Sequence, residues 1–161
     1  AASDVYKRQL LTTTLTVAKP GTDGGGSETV QDKIFLLSMA EVGLGSENGV
    51  AEGTKLAMFS DSASRLCKPT AQAVSNSEYT AGDLSASQNW WWWLRSPYSS
   101  NANNVRYVNS DGSLNNNNAY NGNRGVRPAS VEYRDRVTRK GESRSPPSKE
   151  DVSGPGLTGR G

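Results

Sequence analysis

The sequence predicts a small α+β domain with short helices, a small twisted antiparallel sheet and many loops. Three observations predict it. Trp90, Trp91, Trp92 and Trp93 lead into Leu94-Arg95-Ser96-Pro97, an apolar run too short for a helix and closed by proline. Asp111-Gly112, the strongest turn signal in the chain, lies between two segments able to pair. Only 34% of the 161 residues are hydrophobic, while Gly, Ser, Asn and Thr abound, so the core is lean, rests on aromatics and leaves a large irregular fraction.

Residues 1–9, Ala-Ala-Ser-Asp-Val-Tyr-Lys-Arg-Gln, share no pattern with the rest. They resemble a translated sequencing-adapter remnant and are set aside as an adapter-derived or frayed terminus. A threonine-rich, β-branched run at 10–17 precedes a surface loop at 20–27 around Gly24, Gly25 and Gly26. Residues 33–37, Lys-Ile-Phe-Leu-Leu, have strand length. Ser38 and Glu41 form a capping box, in which the serine oxygen accepts from the third helical amide and the glutamate reaches back; Gly43 and Gly45 keep that helix short. Residues 49–60 are ambiguous. Pro69 suits a first helical position, and Ala71, Ala73 and Val74 favour a second short helix before a polar loop at 75–88.

Residues 90–94 read as a fully buried strand. Alternation sends two tryptophans to each face, so both faces need cover, and the indole N–H groups need backbone carbonyls as acceptors. Residues 105–108 pair with those after Ser113 across Asp111-Gly112, and residues 125–128 form a last strand with Pro128 at its end, where no ladder donor is missed. The domain so defined spans 10–129. From Ser130 the composition turns charged and Pro/Gly-rich, and 130–161 reads as a disordered basic tail.

Composition excludes several functions. Residues 131–161 hold seven Lys/Arg against five Asp/Glu, whereas 1–130 hold eleven of each, so the basic balance belongs to the tail and no nucleic-acid partner is expected. There is no histidine, which removes the commonest general base and zinc ligand. Cys67 is the single cysteine and reads as a small buried hydrophobe. No run of eighteen apolar residues exists to span a membrane. Asp111 lacks acidic neighbours, so it makes a turn rather than a calcium site, and neither metal nor cofactor is expected.

Four motifs in order carry a resemblance: Asp32-Lys33-Ile34-Phe35-Leu36-Leu37-Ser38, Arg65 with Lys68-Pro69-Thr70, Trp91-Trp92-Trp93-Leu94-Arg95-Ser96-Pro97, and Gly125-Val126-Arg127-Pro128-Ala129. Together they resemble a bacterial and phage domain of unknown function with a C-type-lectin-like fold, of the kind that serves as the variable protein of diversity-generating retroelements. The resemblance covers about 10–129 and implies a bacterial or phage, surface- or virion-displayed binding protein. The family's usual opening strand and helix are missing before Leu10, which reads as an N-terminal truncation. Formylglycine-generating enzymes share the broad fold, but their chemistry relies on cysteines that a lone Cys67 does not supply, so no enzyme is expected.

Within 101–123, ten of twenty-three residues are asparagine. Adenine substitution in asparagine codons never yields a stop, and a surface of Tyr, Ser and Asn is what binding loops favour. The expected contact face is Tyr98, Ser99, Asn101, Asn103, Asn104, Tyr107, Asn109, Asn116, Asn118, Tyr120, Asn121 and Asn123, offered to a protein or glycan on a host or cell surface. Trp91, Trp92, Trp93, Leu94, Arg95, Gly125, Val126, Arg127 and Pro128 are the expected structural anchors, with Arg95 and Arg127 in ion pairs or carbonyl contacts. The alternatives are a structural part of a phage or cell-surface assembly, or a template-repeat reading frame with no evolved ligand.

Overall fold

A computed structural model describes residues 6–79 and 82–136. In chain order its elements are β1 (Tyr6–Leu11), β2 (Thr13–Ala18), β3 (Ser27–Asp32), β4 (Phe35–Leu36), α1 (Ala71–Ser75), β5 (Trp92–Pro97), β6 (Asn104–Val108), β7 (Leu114–Asn118), β8 (Pro128–Ala129) and β9 (Val131–Arg136). The chain divides into a unit of Gln9–Tyr133 and a second made of the two ends, Ala1–Arg8 with Arg134–Gly161; the core lies in the first. The strands form four small sheets, β1-β9, β2-β3, β4-β8 and β5-β6-β7. Short helices, small antiparallel sheets and long loops agree with the expected α+β class.

β1, Tyr6–Leu11, crosses the boundary drawn at residue 10, and β9, Val131–Arg136, lies wholly beyond the one drawn at residue 129. β9, Val-Glu-Tyr-Arg-Asp-Arg, is a strand inside the segment read as disordered tail, because it hydrogen-bonds to β1 at the far end of the sequence. The remainder of that tail, 137–161, lies outside the described residues, as do residues 1–5.

The capping box at Ser38 is present. Ser38 Oγ accepts from the Glu41 N–H at 3.1 Å, and the Glu41 carboxylate accepts from the Ser38 N–H at 2.9 Å. Gly43, at φ 76°, closes the same turn: its N–H donates to Ala40 O while the Leu44 N–H donates to Met39 O. That is a Schellman closure, and it leaves a single turn where a short helix is expected. At α1 the cap is Thr70, whose side chain accepts from Ala73 N, so Pro69 falls before the helix rather than at its first position.

The core gathers Leu37, Met39, Val42, Phe59, Trp92, Leu94 and Val108, with Cys67 and Leu114 packed against it half-buried. Phe59 and the buried Glu52 both come from the ambiguous segment 49–60. On β5 Trp92, Leu94 and Ser96 are buried, whereas Trp93 and Pro97 are half-buried and the Arg95 side chain is 9% exposed. Both faces are covered, as expected, but only one is fully buried. The second face is covered by arginine and tyrosine instead of an apolar layer. The indole donors do find carbonyls, Trp92 Nε1 to Arg65 O at 3.0 Å and Trp90 Nε1 to Asn123 O at 2.9 Å.

The last strand is shorter than expected. Gly125 makes an isolated parallel bridge to Trp92, donating to Trp91 O at 2.8 Å and accepting from Trp93 N at 3.0 Å. Only Pro128 and Ala129 then pair, antiparallel, with β4. Pro128 begins this strand rather than ending it, another position that needs no ladder donor.

Candidate functional site

β6 and β7 pair in strict antiparallel register, Val108 with Leu114, Tyr107 with Asn115, Arg106 with Asn116, Val105 with Asn117 and Asn104 with Asn118. The turn between them is fixed by chemistry. The Gly112 N–H donates to Asn109 O at 3.0 Å and the Asn109 N–H to Ser113 O at 2.8 Å, a three-residue loop whose last position needs positive φ. Gly112 supplies it at φ 83°, and a Cβ there would sit 2.1 Å from Ser62 O, so no other residue fits. Asp111 accepts from both the N–H and the hydroxyl of Ser113 at 2.9 and 2.6 Å. These bonds hold its carboxyl below the usual value, the turn role expected of it.

Alternation sorts the asparagines into two sets. Asn104, Asn116 and Asn118 share the face of Val108 and Leu114, the core side. All three are half-buried, and Asn104 Nδ2 donates to Asn116 Oδ1 at 2.8 Å. Asn115 and Asn117 share the opposite face with Trp93 and Tyr107, and Asn115 is exposed. Leu114 was the available signal: alternation counted from this one apolar residue of β7 separates odd from even positions.

Of the twelve expected contact residues, Asn101, Asn103 and Tyr120 are exposed, Tyr120 to 83%. Asn109 and Asn121 are half-buried at turns, and Asn118 Nδ2 reaches the Tyr120 hydroxyl at 3.0 Å. Tyr107 is a correction, being only 5% exposed. Its ring meets Trp93 edge-on at 5.8 Å and lies 4.5 Å beneath the Arg124 guanidinium, which also covers Trp91 and Trp93. Asn123 serves the frame too, its backbone carbonyl holding Trp90 and its side chain accepting from Arg124.

Tyr98 and Ser99 join a polar knot that sequence reasoning missed. Glu47 accepts from Arg106 Nε at 2.5 Å and Nη2 at 2.7 Å, and from the Ser99 hydroxyl at 2.5 Å, while Arg106 stacks 4.4 Å over the Tyr98 ring. Burial pushes the Glu47 carboxyl up, but the bonds from Arg106 and Ser99 outweigh it and hold it below the ordinary range. A depressed carboxyl stabilises the fold above its unfolded pKa of about 4.3 and loses that contribution as pH falls through the folded value. Glu47→Gln is therefore expected to lower the melting temperature at neutral pH, with the gap to the parent closing below about pH 4. A gap unchanged by acid in thermal melts would show that the ionised form does not hold this corner.

The anchors divide as well. Trp92 and Leu94 are buried, and Trp91 and Trp93 are half-buried under Arg124. Arg95 is structural, bonded through both nitrogens to the Glu41 carboxylate at 2.6 and 2.9 Å and to the carbonyls of Leu36 and Glu52 at 2.9 and 2.5 Å. Arg127 forms no ion pair among the described residues and instead lies over Phe59 and Trp92 at 5.3 and 4.9 Å. Val126 is 68% exposed and Pro128 is exposed, so neither anchors by burial. Arginines on either side of Gly125 thus grip opposite faces of β5. Among the described residues no helix is long and apolar enough to cross a membrane.

No curated protein matches this chain, and no solved structure does. A family model described as "Domain of unknown function (DUF6273)" matches residues 2–131, a span that includes most of the nine residues set aside above, and the chain belongs to that family.

Proposed function

We propose that this chain is a non-enzymatic binding module with a C-type-lectin-like frame, and that its Asn/Tyr/Ser-rich hairpin region is a diversified or diversifiable contact surface for a protein or glycan on a host or cell surface. The observation that carries the reading is a division of labour along one short segment. Asn101, Asn103, Asn115 and Tyr120 stand exposed on backbone pinned by the Gly112 turn, the Glu47–Arg106 pair and the Arg124 stack. Outward polar side chains on a rigid support tolerate exchange without cost to the fold, which a repeatedly rewritten surface requires. Such a role also fits the resemblance to retroelement variable proteins.

The combination Asn101→Ser, Asn103→Tyr, Asn115→Ser and Tyr120→Asn is expected to stay within about 0.5 kcal/mol per site of the parent in stability. It is also expected to change which immobilised host-surface fractions retain the chain. Unfolding of the combined variant, or retention identical to the parent's, would sink the reading.

A further inference from the structure

A cleft of about 240 Å³ opens beside the tryptophan strand, outside the hairpin surface. Three separated segments converge on it: Cys67 to Thr70, Trp90 to Trp92, and Gly125 to Pro128, with exposed Ala73 of α1 among its lining. Both flanking segments are tied by backbone to the indole strand, Trp90 N–H to Cys67 O at 2.8 Å and Gly125 N–H to Trp91 O at 2.8 Å.

The polar capacity left in this cleft is cationic. The Trp90 and Trp92 indole donors are spent on Asn123 O and Arg65 O, and Thr70 Oγ1 is spent capping α1. Lys68 is exposed, and neither it nor Arg127 has an ion-pair partner among the described residues. Among the described residues, Arg127 Nη1 is buried without an acceptor and no Asp or Glu lines the cleft. An aromatic lining favours a flat π-system, and two cationic residues among that lining favour a carboxylate. A cavity of roughly 150 Å³ holds benzene, so the space here admits one ring with a short acidic substituent.

We propose that this cleft binds a small aromatic carboxylate, its ring against the indoles and its carboxylate toward Lys68 and Arg127. The proposal does not rest on the hairpin reading, because none of these residues belongs to that surface. The test titrates the full chain with benzoate and with neutral benzamide, following the indole N–H resonances of Trp90 and Trp92 by NMR. Benzoate is expected to saturate and shift both signals, with benzamide at least about tenfold weaker, as loss of its charge-assisted contacts implies. Lys68→Glu, at an exposed position, is expected to weaken benzoate about tenfold or more with an unchanged melting temperature. Ala73→Trp, also exposed, is expected to fill the cleft and abolish binding. Absence of saturation, equal binding of benzamide, or variants that bind like the parent would overturn the proposal. So would a concentration-dependent dimer that Ala73→Trp abolishes, which would give the cleft to a second copy of the chain.

Discussion

Trp92→Ala is expected to destabilise the chain by about 3–5 kcal/mol, enough to unfold a small domain at moderate temperature. The side chain is 2% exposed and packs with Leu37, Met39, Val42, Phe59, Leu94 and Val108. Three losses coincide on truncation. The apolar surface goes, a cavity opens in the core, and Arg65 O loses its indole donor. Arg127, stacked 4.9 Å over the same ring, loses one of its two aromatic supports. Trp91→Ala is the control that separates burial from mere aromatic content. Trp91 is half-buried beneath Arg124, so its loss is expected to cost clearly less, on the order of 1–2 kcal/mol. Denaturant unfolding of the two variants decides it: equal losses would mean that the half-buried indole carries as much of the core as the buried one.

That contrast also marks how far the sequence could be read. Four tryptophans before Leu94 announce a strand whose indoles seek carbonyls, since a buried N–H has few alternatives, and Asp111-Gly112 announces a hairpin. The capping box was equally legible because both partners lie three residues apart. What escaped depends on distant segments. β3, Ser-Glu-Thr-Val-Gln-Asp, shows no apolar face and is a strand through its pairing with β2. Glu52 is 1% exposed and accepts from Ala18 N–H and the Ser96 hydroxyl, partners 34 and 44 residues away. Tyr107 looked like a contact residue because its composition matches a binding loop. The register that places it beside Trp93, and the arginine that covers it, come from elsewhere in the chain. The asparagine run itself carries no alternation, and its two-sidedness is legible only by counting from Leu114.

Arg95 tests whether the polar half of the frame matters as much as the apolar half. Its side chain and that of Glu41 are 9% and 13% exposed, and the guanidinium bridges the Glu41 carboxylate to the carbonyls of Leu36 and Glu52. It thereby joins β4, the capped turn after Ser38 and the segment around Glu52 to β5. Removing one member of a buried pair strands the other, and Arg95→Met is expected to cost about 3–5 kcal/mol. Arg95→Lys keeps the charge but offers no planar fork, so it cannot hold the carboxylate through two nitrogens while reaching both carbonyls, and an intermediate loss is expected. Glu41→Gln isolates the charge from the cap. A neutral amide can still accept from the Ser38 N–H, so the loss it shows reports the ion pair and not the turn. An arginine reserved for an anionic ligand would behave oppositely: Arg95→Met would leave stability nearly intact and abolish binding. Denaturant midpoints for the three variants decide between these outcomes. A loss below about 1 kcal/mol for Arg95→Met would place the residue among surface pairs and return it to the pool of candidate ligand contacts.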